Sequence, residues 1–362
     1  MNRMQDRIAL PLLMIFMAAT LSLAQQPNLT NGNLQPSSAA TGLDAILRQI
    51  AGTATGPVWI GYAVPLIDSS KPRTICCGNY SSGENSSGCC GGCALESDNY
   101  GNSRSGACIQ DTPQTHLVVF LRYSSGQVTR VRAMTPNCSV DAGGLTVQWL
   151  TDVLPSQSVY TLTGLAQGKG ASSEHYVVDS AIMSIALHAD ESADAALSGL
   201  VATDQPEKTR EKTAFWLAVE RGRPGFLLLQ KLAREDASGS FRSKLAFDLS
   251  LTHEPDAIQE LIRMVHQDSD SHTRSQALFW LAQKAGKKAA SEINNAIEND
   301  PDTEVKKKAV FALSQMHDEG ITKLIEVART NRNREVRREA IFWLGQSHDP
   351  RGLAFIEEVL NK

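Results

Sequence analysis

The residues of this chain best equipped for chemistry are its cysteines, seven in 362 residues. Cys76, Cys77, Cys89, Cys90, Cys93 and Cys108 crowd a stretch made largely of Gly, Ser and Asn, and Cys138 follows. Three kinds of chemistry fit them. In an oxidising compartment thiols pair as disulfides, and a stretch too polar to build its own core needs such staples. Cys90-x-x-Cys93 also has the spacing of a redox pair or of half a zinc site. Neither a thioredoxin-like βαβ context nor a clean second Cys-x-x-Cys accompanies it, so structural disulfides are the expectation. The pairing is open, and the odd cysteine implies a free thiol, an intermolecular bridge or a metal ligand.

Other candidates are weaker. His253, His317 and His348 share the turn between the paired helices, two periods and then one period apart. Helices pack about 8–10 Å apart, so such rings rarely converge within the ~2 Å bond zinc requires. No His-Glu-x-x-His, Gly-x-Ser-x-Gly or phosphate-loop pattern occurs, and nothing calls for a cofactor or names a catalytic residue. Lys306-Lys307-Lys308 beside Glu304 reads as a solvated helix start. The formal net charge is −4, without the basic footprint of a nucleic-acid binder.

These residues sit on a chain whose second half repeats one phrase. It reads REKTAFWLAV around Phe215, RSKLAFDLSL around Phe247, RSQALFWLAQ around Phe279, KKKAVFALSQ around Phe311 and RREAIFWLGQ around Phe342. A weaker copy surrounds Met183, and the steps are 32 residues, 31 for the last. A fixed period in this range marks a solenoid. Val305, Ala309, Ala312, Leu313 and Met316 make one helical stripe; Ile321, Leu324, Ile325 and Ala328 make a second, so each unit is two helices. Asp204, Asp236, Asp268 and Asp300 recur in the turns, with Asn331 next, and Arg210, Arg242, Arg274, Lys306 and Arg337 keep the same phase. An aspartate ahead of a helix caps exposed N–H groups, and an arginine facing it adds a charge-assisted bond.

The phenylalanines lie about 200° round the helix from the buried Ala slot. Phe215, Phe247, Phe279, Phe311 and Phe342 therefore read either as packing between repeats or as an aromatic strip for a partner. Trp216, Trp280 and Trp343 read as core.

The run Val336-Arg337-x-x-Ala340-x-x-x-Leu344-Gly345, the Asp349-Pro350 turn and the Asp and Arg ladders resemble HEAT repeats, in the short form found in phycobilin-lyase-related proteins. The resemblance covers about 175–362 and implies an all-α solenoid of about six two-helix repeats that binds a protein partner. It also implies a concave face lined by second helices, with contacts on exposed residues of 256–266, 289–299, 320–329 and 351–361. Two departures stand out. Tryptophans fill a slot usually small, which implies a wider gap between helices, and the first copy lacks the Asp and Arg, as suits a cap.

Ahead of the repeats, Arg3 and Arg7 precede an apolar run from Ile8 to Ala24. Ser22 and Ala24 are small residues suited to cleavage before Gln25. Residues 1–24 are thus expected to be a signal peptide, leaving an exported chain, periplasmic or extracellular, with no membrane span. Residues 25–41 read as a flexible leader and 42–168 as a small α+β or mostly β domain with disulfides. Within it, 43–50 reads as a helix, 58–67 as a strand that Pro65 places at an edge or an end, and 115–134 as a hairpin. Residues 145–154 read as helix or strand, 159–165 as a last strand, and 169–174 as a linker. The expected function is an exported, non-enzymatic protein-binding scaffold. The rival is an enzyme, thiol-redox or metal module in the first domain with the solenoid as its support.

Overall fold

The computed structural model describes residues 26–70, 72–76, 79–82, 93–97, 112–172 and 175–361. The first half comprises β1 (Asn28–Thr30), β2 (Asn33–Ser38), α1 (Leu43–Thr53), β3 (Val58–Pro65), β4 (Pro72–Cys76) and β5 (Asn79–Ser82). There follow β6 (Cys93–Ala94), β7 (Thr112–Pro113), β8 (His116–Ser124), β9 (Gln127–Met134), β10 (Ser139–Asp141), β11 (Thr146–Thr151) and α2 (Pro155–Ala166).

A mixed five-stranded sheet in the order β2-β11-β3-β8-β9 carries this half. Period-two alternation divides its side chains between two cores. Ile60, Tyr62, Val64, Leu117, Val119 and Leu121 point towards the helices, in a core that continues into the repeats. Trp59, Val118, Phe120, Val147 and Trp149 point the other way and pack with Cys76, Cys93, Leu95 and Cys138. Gly61 is needed here: a Cβ at that position would come within 2.6 Å of the Phe120 ring.

The β8–β9 hairpin turns through Ser125 and Gly126 at positive φ, as a tight primed turn requires. Pro65 closes β3 at its end, where a missing N–H does no harm. Within residues 145–154 the structure has the strand β11, Thr146–Thr151.

Two expectations are corrected. The leader does not stand apart from the domain, because β2 pairs in parallel with β11 from Asn33↔Thr146 to Ser38↔Thr151. Strand addition is held by main-chain bonds, so a segment with few apolar side chains can still join a sheet. Residues 159–165 are helical: Pro155 opens α2, and Val159, Leu162, Leu165 and Ala166 bury one face. The β-branched look of that segment yields to its helical spacing once it lies on a sheet.

The second half comprises α3 (His175–Leu187), α4 (Glu191–Leu200), α5 (Glu207–Glu220), α6 (Gly222–Glu235), α7 (Gly239–Leu251), α8 (Ala257–Gln267) and α9 (Ser271–Ala285). It continues through α10 (Ala290–Asn299), α11 (Thr303–Ser314), α12 (His317–Thr330), α13 (Arg334–Gln346) and α14 (Pro350–Leu360). Ser238, Asp270, Asp302, Asn333 and Asp349 accept backbone N–H bonds at the starts of α7, α9, α11, α13 and α14. Leu217, Leu249, Leu281, Leu313 and Leu344, two residues after each Phe, are all buried. The first helices of successive units (α5, α7, α9, α11, α13) pack closely on one another, whereas the second helices touch their counterparts less. No described helix is long and apolar enough to cross a membrane.

Candidate functional site

The row of first helices is held in register from within. Arg210 bonds the Asp236 carboxylate, and Arg242 and Arg274 grip Asp268 and Asp300 with two nitrogens each at 2.8–3.0 Å. Arg242 and Arg274 also donate to the backbone carbonyls of Asp236 and Asp268, the preceding ladder residues. Each aspartate in turn accepts the N–H two residues on: Asp236 from Ser238, Asp268 from Asp270, Asp300 from Asp302. The ladder is thus structural, but the cap itself is the residue two positions later. It ends where its charges do: Asn331 replaces the aspartate and donates to Glu298, and Arg337 holds only the carbonyls of Asn331 and Arg332.

On this frame the aromatic side chains form one continuous path. Trp216 meets Phe215 at 5.2 Å between centroids, Phe215 stacks on Phe247 at 6.4 Å, and Phe247 meets Trp280 at 4.7 Å. Trp280 meets Phe279 at 4.8 Å, Phe279 stacks on Phe311 at 6.0 Å, Phe311 meets Trp343 at 4.8 Å, and Trp343 meets Phe342 at 5.1 Å. Tryptophan alternates with Asp248 and Ala312 in its slot, so the Phe of a unit without Trp packs on the Trp of the next. The rings from Phe215 to Phe311 are half-buried, and Phe342 is exposed. Packing and partial exposure therefore coexist in one row, where the sequence offered them as alternatives.

Asp248 stands out within that row. It is 3 % exposed, and burial first, then nearby Glu211, pushes its carboxyl up to about 8.

Among the cysteines, Cys76 and Cys138 form a disulfide with Cα atoms 5.6 Å apart, stapling β4 to the loop before β10. Cys93 is disulfide-bonded too. Cys77, Cys89, Cys90 and Cys108 lie outside the described residues. His253 and His348 are exposed turn residues.

The junction between the halves holds polar residues that sequence reasoning missed. Ser158 Oγ lies 2.9 Å from Tyr62 Oη and 2.9 Å from His188 Nε2, and His188 Nδ1 lies 2.6 Å from the Ser184 carbonyl. A carbonyl only accepts, so the neutral ring carries its proton on Nδ1 and Nε2 accepts from Ser158. Burial brings the imidazole down to about 4, keeping it neutral. Ser158 and His188 are fully buried, which denies a substrate access to this serine–histidine pair. Arg221 closes the junction by donating to the carbonyls of Ala186 and His188 and to Asp194.

Comparison with known proteins matches residues 227–314 to HEAT repeats and residues 336–362 to the PBS lyase HEAT-like repeat. These are HEAT-like repeats. The chain is similar in part to human deoxyhypusine hydroxylase in complex with glycerol, at 12% identity over 56% of this chain and 90% of that one, with TM-score 0.30. It is similar likewise to the complex of CpcE and CpcF of phycocyanin lyase from Nostoc sp. PCC7120, at 19% identity over 43% of this chain and 97% of that one, with TM-score 0.33. No curated protein matches the chain.

Proposed function

We propose that this chain is an exported, non-enzymatic scaffold whose HEAT-like array, six two-helix units, holds a protein partner along its first-helix row. One observation carries the reading: aromatic side chains, half-buried up to Trp343 and exposed at Phe342, run unbroken from Trp216 to Phe342 on helices fixed by the Arg–Asp ladder. A rigid row of rings offers large contact area with little conformational entropy to lose, as interface anchors do. Export is supported by the signal-like first residues and by the Cys76–Cys138 disulfide, which persists in an oxidising compartment.

The test is affinity capture from the native source with the chain and with a Phe247→Ser, Phe279→Ser variant of unchanged helical circular dichroism. The expected result is a partner retained by the chain and lost by the variant. Partners that remain when residues 175–362 are deleted would overturn the reading. Export is tested separately by N-terminal sequencing, which should begin at Gln25.

A further inference from the structure

A hollow of about 400 Å³ opens on the helix side of the first half, within the range of roughly 300–1,000 Å³ that small-molecule clefts occupy. Its walls are α1, α2, the end of the β8–β9 hairpin and the turn that follows α2. That turn folds back on its helix. With Gly168 and Gly170 at positive φ, the Lys169 N–H donates to the Gly164 carbonyl at 2.8 Å, and the Gly170 carbonyl accepts the Val128 N–H at 2.8 Å. Lys169 thereby lines the hollow from the turn, and Arg48 lines it from α1. Among the described residues neither side chain makes an ion pair or a hydrogen bond.

Leu47, Val128 and Leu165 form an apolar floor, each no more than 4 % exposed. Two tyrosines stand around it. Tyr123 is half-buried, and among the described residues its hydroxyl makes no hydrogen bond. Burial, then the Asp44 carboxylate, pushes that hydroxyl up to about 12, so it keeps its proton and can donate. Tyr160 is 73 % exposed and borders both this hollow and a neighbouring one of about 380 Å³, which leaves its ring uncovered. The lining holds one carboxylate, Asp44, and Thr161 Oγ1 already donates to it at 2.7 Å. Two cations against one engaged carboxylate favour an anionic ligand, while the rings and the floor favour an apolar body. We infer that the hollow binds a small organic carboxylate, its charged group on Arg48 and Lys169 and its apolar body against the Tyr123 and Tyr160 rings. A guanidinium and an ammonium give a carboxylate charge-assisted bonds roughly twice as strong as neutral ones. None of these residues belongs to the aromatic row of the array, so this site and partner capture fail or succeed independently.

Fluorescence titration of the chain with naphthoate tests the inference, with neutral naphthamide as a control of equal size. Naphthoate should bind saturably and the amide more weakly. Arg48→Met and Lys169→Met should each weaken naphthoate about tenfold and leave the amide unmoved. Tyr160→Ser should weaken both probes. All three side chains are exposed, so helical circular dichroism should stay unchanged in the variants. The Phe247→Ser, Phe279→Ser variant should bind naphthoate as the parent does. No saturable binding would overturn the inference, as would an amide bound as tightly as the acid, binding indifferent to the Arg48 and Lys169 substitutions, or binding lost with the two phenylalanines.

Discussion

Arg73 on β4 donates to Glu220 at the end of α5, at 3.0 Å, with both side chains 3 % exposed. A strand tied to the disulfide is thereby locked to the HEAT-like array across 147 positions of sequence. Removing Glu220 leaves the buried Arg73 guanidinium without this carboxylate, and removing Arg73 takes from Glu220 its buried guanidinium. Glu220→Met or Arg73→Met should cost about 3–5 kcal/mol, and the double replacement should cost less than the two summed. Differential scanning calorimetry should show one transition for the parent and two for the single variants, as the halves uncouple.

His188 gives that junction a pH dependence. Its folded value is lowered to about 4 from 6.5, so the unfolded chain takes the proton first as pH falls. Stability from this residue is therefore complete above about 6.5 and is lost progressively towards 4. The loss is on the order of 3 kcal/mol across that window. In His188→Gln, denaturant midpoints measured between pH 7 and 4 should lack this component of the slope.

Asp248 works in the opposite sense. Its folded value is raised from 3.8 to about 8, so the folded state holds the proton longer and this residue destabilises progressively from about pH 4 to pH 8. Asp248→Asn should stabilise the chain by roughly 1–3 kcal/mol at pH 8 and hardly at all at pH 4. Thermal melts at the two pH values decide it.

The Cys76–Cys138 staple closes a sequence separation of 62. Replacing both cysteines with alanine should lower stability by about 4 kcal/mol through the freedom returned to the unfolded chain. Calorimetry under non-reducing conditions should place that loss in the first half, with the array's transition little moved.

The Arg–Asp ladder predicts a further asymmetry. Arg242→Met leaves Asp268 buried without its partner and should cost about 3 kcal/mol or more. Arg337→Met, where the ladder has no carboxylate, should cost no more than about 1 kcal/mol. Urea unfolding of the two variants checks the contrast.

The repeat architecture was legible in the sequence because its causes are local and periodic. The Ala and Leu columns, the turn aspartates and the caps recur at fixed spacing, and each copy confirms the last. The hairpin at Ser125–Gly126 was legible for the same reason. Residues 28–38 and 159–165 were not, since one joins a sheet through backbone bonds and the other turns helical against it. Partnership across distance was hidden as well. Nothing near Arg73 marks Glu220, nothing near Ser158 marks His188, and the phase of the phenylalanines did not reveal that each Phe without a Trp of its own packs on the next unit's. Local spacing sets which face of an element is apolar; which polar groups meet when two such faces close is decided only by the tertiary structure, because burial forces each to find a partner from whatever the other face presents.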